Sequence, residues 1–159
     1  MQLVIPRETQ PGEDRVSATT ETVKKLVRLG AEVVIESGAG TGAGISDADY
    51  EAAGASIGSD RSALLGSADM VLRLRKPEIE EISQLKGGCI HVSYLDPFNE
   101  KELIKAFASH NVTAVSMEMI PRSTRSQKMD ALSSQANLAG YMAVMLAANN
   151  MPSIMPMMM

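Results

Sequence analysis

Five short aliphatic runs recur along this chain, and an amphipathic stretch separates each from the next. Leu3–Ile5, Glu32–Glu36, Met70–Leu74, Cys89–Tyr94 and Val112–Ser116 read as strands. Thr20–Leu29, Asp47–Ala53, Ser62–Leu65, Glu78–Leu85 and Glu100–Ser109 read as helices or helical turns. In the first of these, Val23, Leu26 and Val27 share one face and Gly30 stops the helix. Strands that alternate with helices form βαβ units, and right-handed crossovers then lay helices on both faces of a mostly parallel sheet. The expected fold class is α/β, doubly wound. Such sheets bind ligands outside the carboxyl ends of their strands. The loops after Ile5, Glu36, Leu74, Tyr94 and Glu118 are therefore expected to gather at the working rim.

Composition narrows the rest. A length of 159 residues suits one domain. With no Trp, three Tyr and two Phe, the core must be built from Val, Ile, Leu, Ala and Met. A net charge of −4 and the lack of any long Lys/Arg run argue against nucleic acid, which needs a basic patch. Cys89 is the single cysteine, which fits a reducing compartment, and within Gly88–Val92 it reads as a buried strand residue. Met1–Pro6 is too short an apolar run for a signal peptide.

Several motifs invite chemistry. Gly38-Ala39-Gly40-Thr41-Gly42-Ala43 fits G-x-G-x-x-A, a relaxed dinucleotide fingerprint. The short helix behind it opens with Asp47 and Asp49, whose carboxylates would repel a pyrophosphate, so a plain turn is the preferred reading. Arg15 can clamp a carboxylate or phosphate with two hydrogen bonds, or pair with Glu13 or Asp14. His91 falls in a strand and reads as core; His110 falls at a helix end and reads as a cap. No two ligands have metal spacing, so no metal is expected.

Residues 121–141, PRSTRSQKMDALSSQANLAGY, are the most informative stretch. A loop bearing Arg122, Arg125 and Gln127 runs into Asp130, which stands where a helix N-cap should, just before Leu132 and Ser133. Backbone N–H groups point outward there and the helix dipole favours anions. A cap alone accounts for Asp130 and Ser133 but not for Arg122 and Gln127, so a ligand role stands beside the capping role. Beyond Asp130 the sequence carries no charged residue or histidine. Its cleanest apolar stretch, Leu138–Ala148, is about half the roughly 20 residues of a membrane span. A buried helix over Ala131–Asn149 is expected, followed by an apolar, Met-rich tail that reads as a truncation point or a docking segment.

The 121–141 segment closely resembles the N-terminal domain of the alpha subunit of proton-translocating NAD(P) transhydrogenase. Ile5-Pro6-Arg7-Glu8, Asp14-Arg15-Val16 and Glu36–Gly40 also match, and are shared with the related alanine dehydrogenases. The resemblance implies a Rossmann-like or flavodoxin-like fold, incomplete at its C-terminus. Residues 1–130 would form the domain carrying the loop, and residues 131–159 a connecting helix and tail leading to a missing NAD-binding domain. It implies hydride transfer between NAD(H) and NADP(H), with NADP held only on a partner domain and proton translocation coupled by a membrane domain. By motif position, Arg122, Gln127, Asp130 and Ser133 would hold the nicotinamide end of NAD. The cofactors carry the hydride chemistry, so no acid–base residue is required. NAD would bind weakly or not at all to this chain alone. A homodimer, and a position on the cytoplasmic or mitochondrial-matrix face of an energy-coupling membrane without a span of its own, complete the expectation.

Two alternatives remain at this level. One is an alanine dehydrogenase-like enzyme. Where that family places a Lys and a His for substrate chemistry, this chain has Arg75 and Asp96, and an arginine cannot be deprotonated for acid–base work. The other is a non-catalytic binding or assembly module.

Overall fold

In the computed structural model, which describes residues Met1–Ser153, the strands are β1 (Gln2–Ile5), β2 (Glu32–Glu36), β3 (Ser56–Gly58), β4 (Met70–Leu72), β5 (Ile90–Ser93) and β6 (Thr113–Ser116). Between them lie α1 (Thr20–Arg28), α2 (Asp47–Ala52), α3 (Arg61–Ser67), α4 (Ile79–Ile82) and α5 (Lys101–Ser109); α6 (Ala131–Asn150) follows. The six strands form one sheet in the order β3-β2-β1-β4-β5-β6, and every pairing is parallel. This is the Rossmann-like α/β arrangement, and its order reverses between β1 and β4.

The expected elements form, with three differences. β3 is additional to them, because its three residues hold one large aliphatic side chain, Ile57, beside Gly58. β4 is two residues shorter than the run Met70–Leu74. Arg73 still donates its N–H to Val92, but Leu74 turns its N–H to the carboxylate of Glu8 at 2.6 Å. The helix expected over Glu78–Leu85 shrinks to the single turn α4.

Two compact units make up the chain, Met1–Met117 and a second from Glu118 onward. In the first, successive side chains of a strand point to opposite faces. Leu3, Ile5, Val33 and Ile35 pack with Val23 of α1 and Tyr50 of α2. Val4, Val34 and Val71 pack with Leu64, Leu65, Ile82, Leu103 and Phe107 of α3, α4 and α5. Each fully buried Leu, Ile or Phe contributes roughly 1.5–3 kcal/mol. Tyr50, fully buried, satisfies its hydroxyl on the carbonyl of Ala18 at 2.9 Å.

A chain of ions ties the carboxyl ends of these strands together. Arg73, only 4% exposed, lies 2.8 Å from Glu81, and Arg61 bridges the same Glu81 at 2.6 Å to Glu36 at 2.5 Å. Glu36 also accepts the Arg7 N–H at 2.8 Å. Against the upward pull of burial, Arg61 and Arg73 hold the Glu81 carboxyl below its ordinary range.

The second unit is built around α6, some 30 Å long at 1.5 Å per residue. The sequence expectation of a buried helix is not met. No residue of α6 is buried, and Leu138, Tyr141, Met142, Val144, Met145 and Leu146 are exposed. A helix apolar on all sides needs cover on all sides, and the described residues supply none. Among the described residues, no helix is long and apolar enough to cross a membrane. Most of the expected docking tail lies beyond Ser153, outside the described residues.

His91 is 1% exposed, with its ring 5.0 Å from that of Phe107. Burial and then the charge of Arg73 push its imidazolium down to about 3 from 6.5. The unfolded chain therefore binds one more proton than the native chain between those values. Stability should fall as the pH drops below about 6.5, with a slope approaching 1.4 kcal/mol per pH unit. Urea denaturation of His91→Leu across this window should lack that component; an identical pH profile would contradict it. In the ion chain, Glu81→Ala should deprive two guanidiniums of their shared partner and cost about 3 kcal/mol, read from the same denaturation midpoints.

Candidate functional site

The residues singled out by sequence fall at two separate places. In the first unit, Arg15 grips Glu13 through Nε and Nη2, each at 2.6 Å from a carboxylate oxygen. Arg75 adds a bond to the same carboxylate at 2.7 Å. These bonds, Arg15 foremost, draw the Glu13 carboxyl down to about 2. Of the two readings left open for Arg15, the structure has the ion pair with Glu13. Asp96 adopts φ = +50° and accepts both bonds of the Asn99 carboxamide. His110 caps α5 as expected, its backbone N–H reaching Ala106, and Cys89 is buried as expected.

The glycine loop after β2 is built for packing. A Cβ on Gly42 would stand 2.7 Å from the Asp14 carbonyl oxygen, and one on Gly40 would stand 2.7 Å from both the Ile45 carbonyl and the Tyr50 ring. Asp47 takes the Ser37 hydroxyl at 2.7 Å and the Gly38 N–H at 2.9 Å, so a donor that a phosphate cradle would use is already occupied. Neither Gly40 nor Gly42 therefore needs a phosphate to explain it.

In the second unit the picture differs. Residues 121–130 descend to α6 through two tight turns: Ser126 N–H donates to the Ser123 carbonyl at 3.0 Å, and Met129 N–H donates to the Ser126 carbonyl at 2.8 Å. Asp130 caps α6, accepting the Ser133 N–H at 3.0 Å and the Ser133 hydroxyl at 2.6 Å. Those two bonds, and then the positive charge of Arg122, hold the Asp130 carboxyl below the usual range. Arg122, Gln127, Asp130 and Ser133 line one open cleft of about 390 Å³, and Ser123 and Thr124 line it with them. The cleft thus offers a guanidinium fork, a carboxamide that both donates and accepts, an ionised carboxylate and hydroxyls. Sequence reasoning does not single out Ser123 and Thr124, since serine and threonine are ordinary loop residues.

Residues 4–139 match the family described as alanine dehydrogenase/PNT, N-terminal domain. The chain belongs to that family. It is 43% identical to the first of the separate polypeptides of the NAD(P) transhydrogenase alpha subunit of Rhodospirillum rubrum over 164 aligned positions, covering 100% of this chain and 43% of that protein. The crystal structure of transhydrogenase from Sinorhizobium meliloti superposes with a TM-score of 0.91 at 45% identity, over 100% of this chain and 47% of that one. Alanine dehydrogenase of Halomonas elongata is 32% identical over 151 positions, covering 95% of this chain and 40% of that enzyme. The chain therefore spans less than half the length of these relatives.

The two roles conceivable for the glycine loop separate by experiment. Gly42→Ala should lower stability by about 1–3 kcal/mol, because the Asp14 backbone must move. A phosphate cradle would instead show normal stability and weakened nucleotide binding by calorimetry.

Proposed function

We propose that this chain is the opening portion of the NAD(H)-binding component of an NAD(P) transhydrogenase, and that the cleft lined by Arg122, Gln127, Asp130 and Ser133 receives the nicotinamide end of NAD(H). The observation that carries the reading is the convergence of these four side chains, 122 to 133, on one cleft in a chain whose relatives include transhydrogenase alpha subunits. The donor set suits the group. A nicotinamide carboxamide presents one acceptor and two donors, and the Gln127 carboxamide answers both kinds. The Asp130 carboxylate accepts from a ribose hydroxyl, and its bonds to Ser133 fix its orientation. Arg122 supplies a cation to the polar rim of the ligand.

The nicotinamide, when bound, supplies the hydride chemistry. The residues of this chain present one face of the ring and hold it still, where small displacements are costly in rate. A general base works best when its pKa lies near the operating pH, and the Asp130 carboxyl is shifted the other way. That supports a site that positions its ligand and moves no proton of its own.

In this reading NADP(H) sits on a separate partner domain, and a membrane partner couples hydride transfer to proton movement. The whole assembles as a homodimer at the cytoplasmic or matrix face of an energy-coupling membrane. Residues 131–159 lead to a nucleotide-binding domain that supplies the phosphate contacts, so NAD binds weakly to this chain alone.

In the full-length subunit, Gln127→Ala and Asp130→Asn should each lower hydride transfer between NADH and an NADP analogue roughly tenfold or more. The NADH dissociation constant should move by no more than about threefold. Asn retains the N-cap, so loss of rate in Asp130→Asn reports on the cleft and not on the helix. Unimpaired transfer in both variants would remove the proposed site. Steady NADH consumption with pyruvate and ammonia, without a partner, would favour the alanine dehydrogenase activity instead.

A further inference from the structure

We propose that Ser123 and Ser126 form a hydroxyl pair that positions Arg122 and Gln127 for the nicotinamide carboxamide; this inference rests on the ligand reading of the cleft given above. Ser126 is the single buried residue among the described residues of the second unit, at 9% exposure. A buried hydroxyl costs free energy unless it is bonded. Ser123 supplies the partner: its hydroxyl donates to the Ser126 hydroxyl at 3.1 Å and accepts the Ser126 N–H at 3.3 Å. The same N–H also reaches the Ser123 carbonyl at 3.0 Å. Three contacts thus close one four-residue turn.

The sequence positions give that turn its consequence. Arg122 immediately precedes Ser123, and Gln127 immediately follows Ser126. The loop's backbone bonds run between residues two or three apart, from Ser123 to Pro121, Ser126 to Ser123, Met129 to Ser126 and Asp130 to Gln127. Local turns of this kind, with one buried side chain, set where the two cleft residues point. Alanine at position 126 would bury more cheaply, so the hydroxyl there is explained by the geometry it specifies. Removing either hydroxyl leaves the other without its mate and loosens the turn. Ser123 and Ser126 are positioning residues in this account; Gln127 and Arg122 meet the ligand.

Amide hydrogen exchange on the 159-residue chain reads the turn without any cofactor. Ser123→Ala and Ser126→Ala should each accelerate exchange at the Ser126 and Met129 amides by about tenfold, and Ser126→Thr, which keeps a hydroxyl, should restore slow exchange. In the full-length subunit, each alanine variant should lower kcat for hydride transfer by about fivefold or more, with KM for NADH within about twofold. The double variant should be no slower than the slower single, because the pair acts as one unit. Unchanged exchange and unchanged kcat in Ser126→Ala, beside an impaired Gln127→Ala, would overturn the pair and leave the cleft intact. Multiplying effects in the double variant, or a loss of Tm with kcat kept, would equally overturn it. Unimpaired transfer in Gln127→Ala would instead remove the ligand reading on which the pair depends.

Discussion

Arg73 is the constraint on which the first unit depends. A guanidinium at the end of a buried strand must be neutralised where it stands, and this one is neutralised by Glu81. Glu81 is shared with Arg61, and Arg61 with Glu36, so one obligatory pairing becomes a chain linking the end of β4 to α4, α3 and the end of β2. Glu8 joins from the loop after β1 by accepting the N–H groups of Leu74 and Arg75. These bonds cross the place where the strand order reverses, which in open α/β sheets is where ligands are held. Here the chain's own side chains occupy that place. Each ion pair gains little over its desolvation cost; what the network contributes is a single relative placement of four loops.

The same economy governs the rest of that rim. Arg15 and Arg75 both close on Glu13, and the Gly38 N–H closes on Asp47. The groups that could greet an anion are engaged with carboxylates already present. The second unit has the opposite character. Its polar side chains line an open cleft, and the bonds among them, Asp130 to Ser133 and Ser123 to Ser126, orient the groups without enclosing them. A rim that neutralises itself and a loop that leaves its donors accessible are different solutions to the placement of charge, and only the second leaves a guanidinium and a carboxamide open to a ligand.

Much of this is legible in sequence, for physical reasons. Aliphatic runs separated by amphipathic stretches have few other solutions than a parallel α/β sheet, and a carboxylate three residues before Ser133 has an evident use as a cap. The short acidic helix behind the glycine loop already argues against a phosphate cradle. The ion network is not legible, because Glu8, Glu36, Arg61, Arg73 and Glu81 come from five segments that only the fold assembles. Arg73 is its one sign, a charge set inside the aliphatic run Met70–Leu74. β3 escapes because three residues beside a glycine carry no periodicity. The Ser123–Ser126 pair escapes because its meaning lies in burial, which a loop sequence does not disclose. The expected burial of α6 fails for a related reason: composition states what a helix needs around it, and not whether the described residues provide it.

Asp130 joins the two kinds of information. As an N-cap it must face back along the chain toward the N–H of Ser133, and this requirement holds whatever the cleft contains. Capping uses one carboxylate oxygen for that N–H, while the other receives the Ser133 hydroxyl at 2.6 Å. The carboxylate is thereby immobilised and kept ionised by bonds that belong to folding. A group held in this way loses little further freedom when a ligand arrives, so the ordering cost of binding is already met by the helix. Placing a binding carboxylate at a helix start gives orientation at no separate conformational expense, which is why a cap and a ligand contact can be one residue without compromise to either.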